Sequence, residues 1–431
     1  MERYQEAAQY AIETLKRSGA DEAECFVRCD GVTEVNVDSG DFSLMRTYGV
    51  NSLVLSGLKN KRPCRIRTSR IDKAAIDDAI AACNAGMSTA KVDETRSVAE
   101  LTQNGSFAKG PLECDYDRFL YRVAEYAEYY QTEENEPLNE YIVSHVHSKA
   151  AYCNTNGVEF SSDQGWYQAG GRSGSIFAPD MSRPLSEVGK VDEPYDKSLR
   201  KQEVKPLGGK FEGTLVYHPH LVRLEWWLSM FVLFNDAETL GEEGNKKNKW
   251  MDKLGEMVAS PCYSYSNMPL YEYFCGSPFF TADGYRAKNV DFIKDGKLVN
   301  LPINRRASRK LGLSATMPTV DYETEEVIKC NTFVKPGEQS IKDIIKGIKR
   351  GIIVKSLPGC VPHMPEVGDM NSVIHGGLLI EDGVVTRPVS EVMVAGNYYE
   401  KFKNVHAVSS EYRASGGDIC PWVAYDGFIM Q

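Results

Sequence analysis

The stretch from Gly213 to Gly255, GTLVYHPHLVRLEWWLSMFVLFNDAETLGEEGNKKNKWMDKLG, decides how the chain is read. It opens on a strand-like run, Thr214 to Tyr217, and breaks at Pro219. Leu221, Leu224, Leu228 and Phe231 then follow at the three-and-four spacing of one helix face. The other faces hold Val222, Trp226, Trp227, Met230, Val232 and Phe234, so apolar groups nearly surround the helix and its spacing predicts burial at the centre of a domain. Glu225 interrupts that surface; a carboxylate there must reach an edge, find a partner or be a remnant of chemistry, because burying it bare is costly. Further on, Glu242 and Glu243 belong to a solvated loop, GEEGNKKNK.

Around this helix the chain is long, 431 residues, which predicts two domains rather than one core. Charged residues at 26% and hydrophobic ones at 42% fit a soluble globular protein. A net charge of -10 argues against nucleic acid as a partner, since affinity for phosphate backbones comes from clustered Lys and Arg. The densest basic run, Arg305, Arg306, Arg309 and Lys310, reads as a solvated helix face. Eleven cysteines without a CxxC pair, behind an amphipathic N-terminal helix rather than a signal sequence, predict a cytoplasmic protein with reduced thiols. The apolar run from Trp226 to Phe234 is about half of the roughly 20 residues a membrane span needs, so no membrane segment is expected.

In the first half, Tyr4 to Ser18 reads as a helix closed by Gly19. Strands follow at Ala23 to Arg28 and Thr33 to Val37, with Asp30-Gly31 as a hairpin turn between them, and at Asn51 to Leu58. Helices are predicted over Asp72 to Ala85 and Asp115 to Gln131, the second with Phe119, Leu120, Val123 and Tyr126 on one side. Glu140 to Tyr152 alternates as a strand, Asn156-Gly157 turns, and Val158 to Ser161 returns before a Gly/Ser stretch around Gln168 to Ser175. Proline and charge rise between Pro184 and Lys205, which puts a domain boundary near residues 190 to 210. The second half is punctuated by Asp283-Gly284, Asp295-Gly296, Pro336-Gly337, Gly376-Gly377 and Asp382-Gly383, with further helices at Asn304 to Leu311 and Ser340 to Arg350. The fold class expected is α+β: residues 1–195 as a domain of helices and a small sheet, residues 205–431 as a mostly β domain around the buried helix.

His145/His147 and His218/His220 are two His-x-His pairs, and residues two apart on a strand point the same way, but two ligands do not make a metal site. No His-Glu-x-x-His pattern, Gly-x-Ser-x-Gly elbow or Walker A loop occurs. Cys420, before Pro421, and Cys360, in SLPGCVP, lie in turn-rich segments where a thiol could be exposed, yet nothing nearby in sequence activates either.

Five segments in order carry a resemblance. They are LKRSGADEAECFV with VNVDSGDF, CRIRTSRIDKAAI, FFTADGYRAKNVDFIKDGKLVNLPINRRASRKLGLSAT, NTFVKPGEQSIKDIIKGIKRGIIVKSLPG, and GDMNSVIHGGLLIEDGVVTRPVSEVMVAGNYYEKFKNV. Together they are similar to the TldD/PmbA family, also called modulators of DNA gyrase. The resemblance implies a second domain of the metallopeptidase type. In its TldD-like branch one helix carries a His-Glu-x-x-x-His zinc motif and a Cys near the C-terminus supplies a third ligand, the zinc polarising a peptide carbonyl and activating water. The comparable positions here are Leu224, Glu225 and Ser229, and the segment Val408 to Ser415, where the third ligand would fall, holds no cysteine. The chain therefore resembles the PmbA/TldE branch. That implies a metal-free subunit of a heterodimeric peptidase acting on extended or unfolded peptides, with zinc in a TldD-like partner and none in this chain. A non-enzymatic regulator that contacts other proteins, as a homodimer, is the alternative, and a different metal site built from His218, His220 and a thiol is the third reading. The groove residues suggested are Asp283, Gly284, Arg286, Arg305 and Asn331.

Overall fold

In the computed structural model, residues 2–39, 41–133, 140–171, 174–178, 191–223, 250, 252–271, 275, 277–305, 308–309, 312–316, 331–357, 367–415 and 417–431 are described. The first strand, β1 (Glu22–Asp38), runs unbroken through Asp30-Gly31, where the sequence predicts a turn. Both of its edges are occupied there. Gly31 pairs with Gly49 of β2 (Asp41–Lys59) on one side and with His147 of β5 (Glu140–Asn154) on the other. Asp30 accepts from Arg28 Nε at 2.9 Å, a contact between residues two apart that an extended strand provides on one face. Two-sided pairing thus overrides the local turn chemistry of Asp-Gly.

With β3 (Arg62–Thr68), β4 (Gly105–Lys109), β6 (Glu159–Gly171) and β7 (Gly174–Ala178), these strands make a seven-stranded sheet in the order β3-β2-β1-β5-β6-β4, β7 pairing with β6. The strand β3 includes CRIRT, one of the segments that carry the resemblance; Asn60 and Lys61, both at positive φ, close its hairpin with β2. Helices α1 (Arg3–Arg17) and α2 (Lys73–Thr89) cover the sheet, with Ala8, Ala11, Leu15, Ile76 and Ile80 packed on Cys25, Val27, Leu53 and Leu55. Asp72 caps α2 by accepting from Ala75 N at 3.2 Å, and Gly19 at φ +106° follows the end of α1. The third helix, α3 (Tyr116–Glu133), buries Phe119 and Val123, whereas Leu120, expected beside them, is 38% exposed. One residue is about 100° around a helix, enough to turn Leu120 off the stripe that its neighbours define.

The second sheet holds twelve strands: β8 (Phe211–Tyr217), β9 (Tyr265–Asn267), β10 (Val290–Lys294), β11 (Lys297–Leu298), β12 (Thr332–Val334), β13 (Arg350–Val354), β14 (Asp369–Ile374), β15 (Gly377–Glu381), β16 (Val384–Val389), β17 (Val392–Asn397), β18 (Val405–Ser415) and β19 (Asp418–Met430). Its spine is β19, which pairs with β12, β8, β18 and β17 in turn along its length. Trp422, Val423, Tyr425 and Met430 are almost wholly buried along it. Asp295-Gly296 and Asp382-Gly383 take positive φ at both positions, the turn that Asp-Gly favours between antiparallel strands.

Within Gly213 to Gly255, β8 is present and α4 covers Pro219–Arg223, with Leu221 and Val222 buried. Leu224, Glu225, Ser229, Glu242 and Glu243 lie outside the described residues, as do Arg306, Lys310 and Cys360. Ser340 caps α5 (Ile341–Lys346), which ends earlier than expected because Gly347 is its C-cap and Arg350 already pairs in β13. Near Arg305, the bonds from Ser308 N to Asn304 O and from Gly312 N to Ser308 O, both 2.9 Å, keep helical spacing. A last helix, α6 (Tyr398–Lys403), buries Tyr398, Tyr399 and Phe402. No helix among the described residues is long and apolar enough to cross a membrane.

The two sheets meet through aromatic rings. Phe26, Tyr152 and Phe160 of the first sheet pack against Phe280, with Phe160 and Phe280 stacked at 5.3 Å and Phe107 and Phe279 at 5.0 Å.

Candidate functional site

Three of the five groove residues suggested by the sequence come together at this seam. Arg305 donates from Nη1 to the Asp283 carbonyl at 2.8 Å and from Nη2 to both oxygens of Glu24, at 3.2 and 3.3 Å. Tyr152 Oη donates to Glu24 Oε2 at 2.7 Å, and Thr281 Oγ1 donates to Asp283 Oδ1 at 2.5 Å. Gly284, at φ +87°, leaves room for the Tyr152 ring: a Cβ there would stand 2.5 Å from Oη. Burial pushes the Asp283 carboxyl above its ordinary range despite Arg305, and pushes the Tyr152 hydroxyl up too. Burial works most strongly against the Arg305 charge, but Glu24, Tyr152, Asp283 and Tyr285 together more than offset it and the guanidinium holds its proton more tightly than usual. Arg286 stands apart, exposed over the face of Phe107 at 5.4 Å. The set forms a buried ionic joint with its donors and acceptors engaged, an arrangement suited to fixing two layers together.

Asn331 belongs to a second cluster, beside α4. Arg223, the last described residue of α4, donates from Nε to Asp418 Oδ2 at 3.0 Å, and Thr332 N donates to Asp418 Oδ1 at 2.9 Å. Asn331 Oδ1 accepts from Met268 N at 2.7 Å. Three buried atoms here, Asn331 Nδ2, Asn267 Oδ1 and Thr332 Oγ1, have no hydrogen-bond partner. Such atoms are expensive to leave alone and are suited to main-chain groups of a bound peptide. Sequence reading missed Arg223 and Asp418. A lone cation in the apolar run Leu221 to Phe234 was the available signal, as telling as the Glu225 that was noticed.

The histidine pairs are engaged separately. His145 Nε2 bonds the Pro111 carbonyl at 2.8 Å and His147 Nε2 bonds Asp163 at 2.5 Å. His218 is buried edge-on to Trp422 at 4.6 Å, with its Nδ1 accepting from His220 N at 3.0 Å. Glu193 lies 3.7 Å from His218 Nε2 and also engages Lys355 and Arg200. Burial first, then the cations Lys355 and Arg413, drives His218 well below its ordinary value; burial with Arg413 and Arg223 takes His220 down to about 4. A cation-rich surrounding does not suit a divalent metal, and the described residues contain no group of three His, Cys, Asp or Glu side chains that could hold one. Cys420 lies within β19 and is 1% exposed, not in an open turn, because its side chain packs in the hydrophobic core of the second sheet. The donors present among the described residues therefore do not fit zinc.

Comparison with known proteins adds the relatives. Residues 230–431 match the family model of the PmbA/TldA metallopeptidase C-terminal domain. The chain is 32% identical over 168 residues to a metalloprotease of Methanothermobacter thermautotrophicus, covering 38% of this chain and 36% of that one. It is 24% identical over 180 residues to metalloprotease PmbA of Escherichia coli O157:H7, covering 42% and 38%. To a zinc metalloprotease TldD homolog of Saccharolobus solfataricus it is 24% identical over 142 residues, 32% of each. The matched segments span about a third of the length of these curated relatives. Among solved structures, TldE from Thermococcus kodakarensis superposes with a TM-score of 0.80 at 18% identity, over 98% of this chain and 99% of that one. A candidate modulator of a DNA gyrase from Thermotoga maritima gives 0.78 at 16%, over 99% and 100%. At these identities the superpositions establish the fold.

Proposed function

The chain belongs to the PmbA/TldD family through its C-terminal domain at residues 230–431, and from that premise we propose that it is the metal-free, PmbA/TldE-like subunit of a heterodimeric zinc peptidase acting on extended or unfolded peptides. The observation that carries this reading is the Arg223–Asp418 pair. In the zinc-bearing branch the helix that follows Arg223 and a segment near the C-terminus supply the ligands. Here Arg223, just ahead of that helix position, and Asp418, just past the segment Val408 to Ser415, are paired at 3.0 Å, so the carboxylate in reach is already neutralised and is not open to a metal. Leu224 and Ser229 stand at the positions comparable with the two imidazole ligands, and neither side chain holds zinc.

A subunit role is supported at the other end of the molecule. Along β2 the outer edge pairs with β3 only from Leu53 to Lys59, and no described strand covers residues 41–52. Phe42, Leu44, Met45, Tyr48 and Val50 on that edge are 38–58% exposed. An open edge carrying apolar side chains is a template for strand pairing with a second chain. The same logic favours the unpartnered amides around Asn331 as places where main chain of an extended substrate is held.

In the test, the purified chain is mixed with a TldD-type protein bearing the His-Glu-x-x-x-His motif. Peptidase activity on an unfolded protein arises only in the mixture, and metal analysis finds the zinc in the partner. Full activity of this chain alone, or one tightly held zinc in it, overturns the proposal. Stable protein association without peptidase activity in any mixture would favour the regulator instead. The reading places the complex in the cytoplasm, where thiols stay reduced.

A further inference from the structure

The peptidase reading calls for a second chain at the open edge of β2, and the residues of that edge say which chain fits it when no TldD-type subunit is present. Every residue from Asp41 through Asn51 is exposed, on both faces of the strand. A register shift opposite Asn36 and Val37 ends the regular ladder at Leu44, and β3 takes the outer edge from Leu53 onward. The open, regular stretch is therefore Leu44 to Ser52, which no described strand covers. Within it there is no proline, no lysine and no bulge, the devices by which natural edges avoid pairing. Its one charge, Arg46, is answered inside the chain: Nε donates to Glu34 Oε1 at 2.6 Å, and Tyr48 Oη donates to Glu34 Oε2 at 2.9 Å. The guanidinium also lies over the Tyr48 ring at 5.0 Å.

This stretch is complementary to itself. Two antiparallel strands related by a two-fold axis set residues opposite one another whose numbers sum to a constant, with facing side chains on the same side of the sheet. Leu44, Arg46, Tyr48 and Val50 alternate onto one face. An axis through Arg46 sets that cation against itself, and an axis through Tyr48 sets it against Val50. An axis through Thr47 instead sets Leu44 against Val50 and Arg46 against Tyr48, twice over. On the other face it sets Thr47 against Thr47, and Met45 against Gly49, which carries no side chain and leaves room. Apolar, cation-aromatic and Thr-Thr pairs are those that stabilise a ladder, and no like charges meet.

We propose that, without a TldD-type partner, two copies of this chain pair through β2, antiparallel and centred on Thr47, so that their first sheets join across the axis. Main-chain hydrogen bonds along the edge supply affinity, and the facing side chains fix the register. The inference rests on the subunit reading in taking this edge for an interface, and adds which chain occupies it.

Sedimentation equilibrium of the full chain alone tests it, with the mass of two chains expected at micromolar concentration. Leu44→Lys and Val50→Asp, both at exposed positions, should each weaken dimerisation about ten-fold or more while keeping the parent's circular dichroism spectrum. An equimolar mixture of the two variants should dimerise again, because the register sets the new ammonium against the new carboxylate and leaves Leu44 of one copy against Val50 of the other. A monomer at every concentration overturns the proposal. So does dimerisation that both variants keep at full strength, or a mixture of the variants that stays monomeric. A chain that is monomeric alone yet forms an active complex with a TldD-type subunit overturns self-pairing and leaves the peptidase reading standing, whereas a dimer that is inactive in every mixture does the reverse.

Discussion

Arg305 shows how much one side chain in this molecule is asked to do. It lies in a basic run that reads as a solvated face, yet its side chain is 11% exposed and its charge is answered by Glu24, 281 residues away in sequence. Removing one member of a buried pair leaves the other charged and unanswered, which costs about 3–5 kcal/mol. Arg305→Met and Glu24→Gln should each lower the unfolding free energy by that order in urea titrations, and the double variant should lose clearly less than the sum. The histidines give a second expectation. His220 titrates near 6.5 in an unfolded chain and at about 4 in the folded one, and His218 is shifted in the same direction. Between those pH values the unfolded chain takes up a proton that the folded chain refuses. Stability is therefore fully present above about pH 6.5 and declines as pH falls toward 4. Unfolding free energy measured across that window should fall less steeply in His220→Gln; an equal slope would show that His220 is not the titrating group.

At the scale of elements the sharpest departure is β1. Because Gly31 sits within a strand paired on both sides, an added Cβ would meet nothing closer than the His147 carbonyl at 3.9 Å. Gly31→Thr should then stabilise the protein by about 0.5–1 kcal/mol, by removing unfolded-state freedom and adding a residue that suits strands. A turn at this position would give the opposite sign. Gly284 is the contrasting case: its positive φ and the Tyr152 ring at 2.5 Å make Gly284→Ala destabilising by on the order of 2 kcal/mol or more, measured by thermal unfolding. Helix ends were legible in advance, since Asp72, Ser340 and Gly19 act through bonds to residues a few positions away. The path of β1 was not, because its pairing partners lie 18 and 116 residues from Gly31, at Gly49 and His147. Of the site, Asp283, Gly284 and Arg305 were visible as a turn and a basic helix, whereas Glu24 and Tyr152 were not, being ordinary strand residues until the second sheet meets them.

For the whole molecule, no disulfide joins any of the nine cysteines among the described residues, and Cys25 faces Cys153 across β1 and β5 without a bond. Burial raises both thiols far from reactivity. Alkylation of the native protein should therefore mark Cys262 well before Cys25, Cys153, Cys275 or Cys420, and all eleven should react after denaturation without reductant. By itself the sequence determined the α+β composition, most helix limits, the Asp-Gly hairpins of the second half and the absence of imidazoles at positions 224 and 229. These depend on side-chain identity and on neighbours a few residues apart. Only the tertiary structure decided that β19 is the spine of the second sheet, that Arg223 is locked to Asp418, and that Glu24 holds Arg305 across the seam. Such contacts join residues scores to hundreds of positions apart, and their energy comes from burial and charge pairing, which no local pattern encodes.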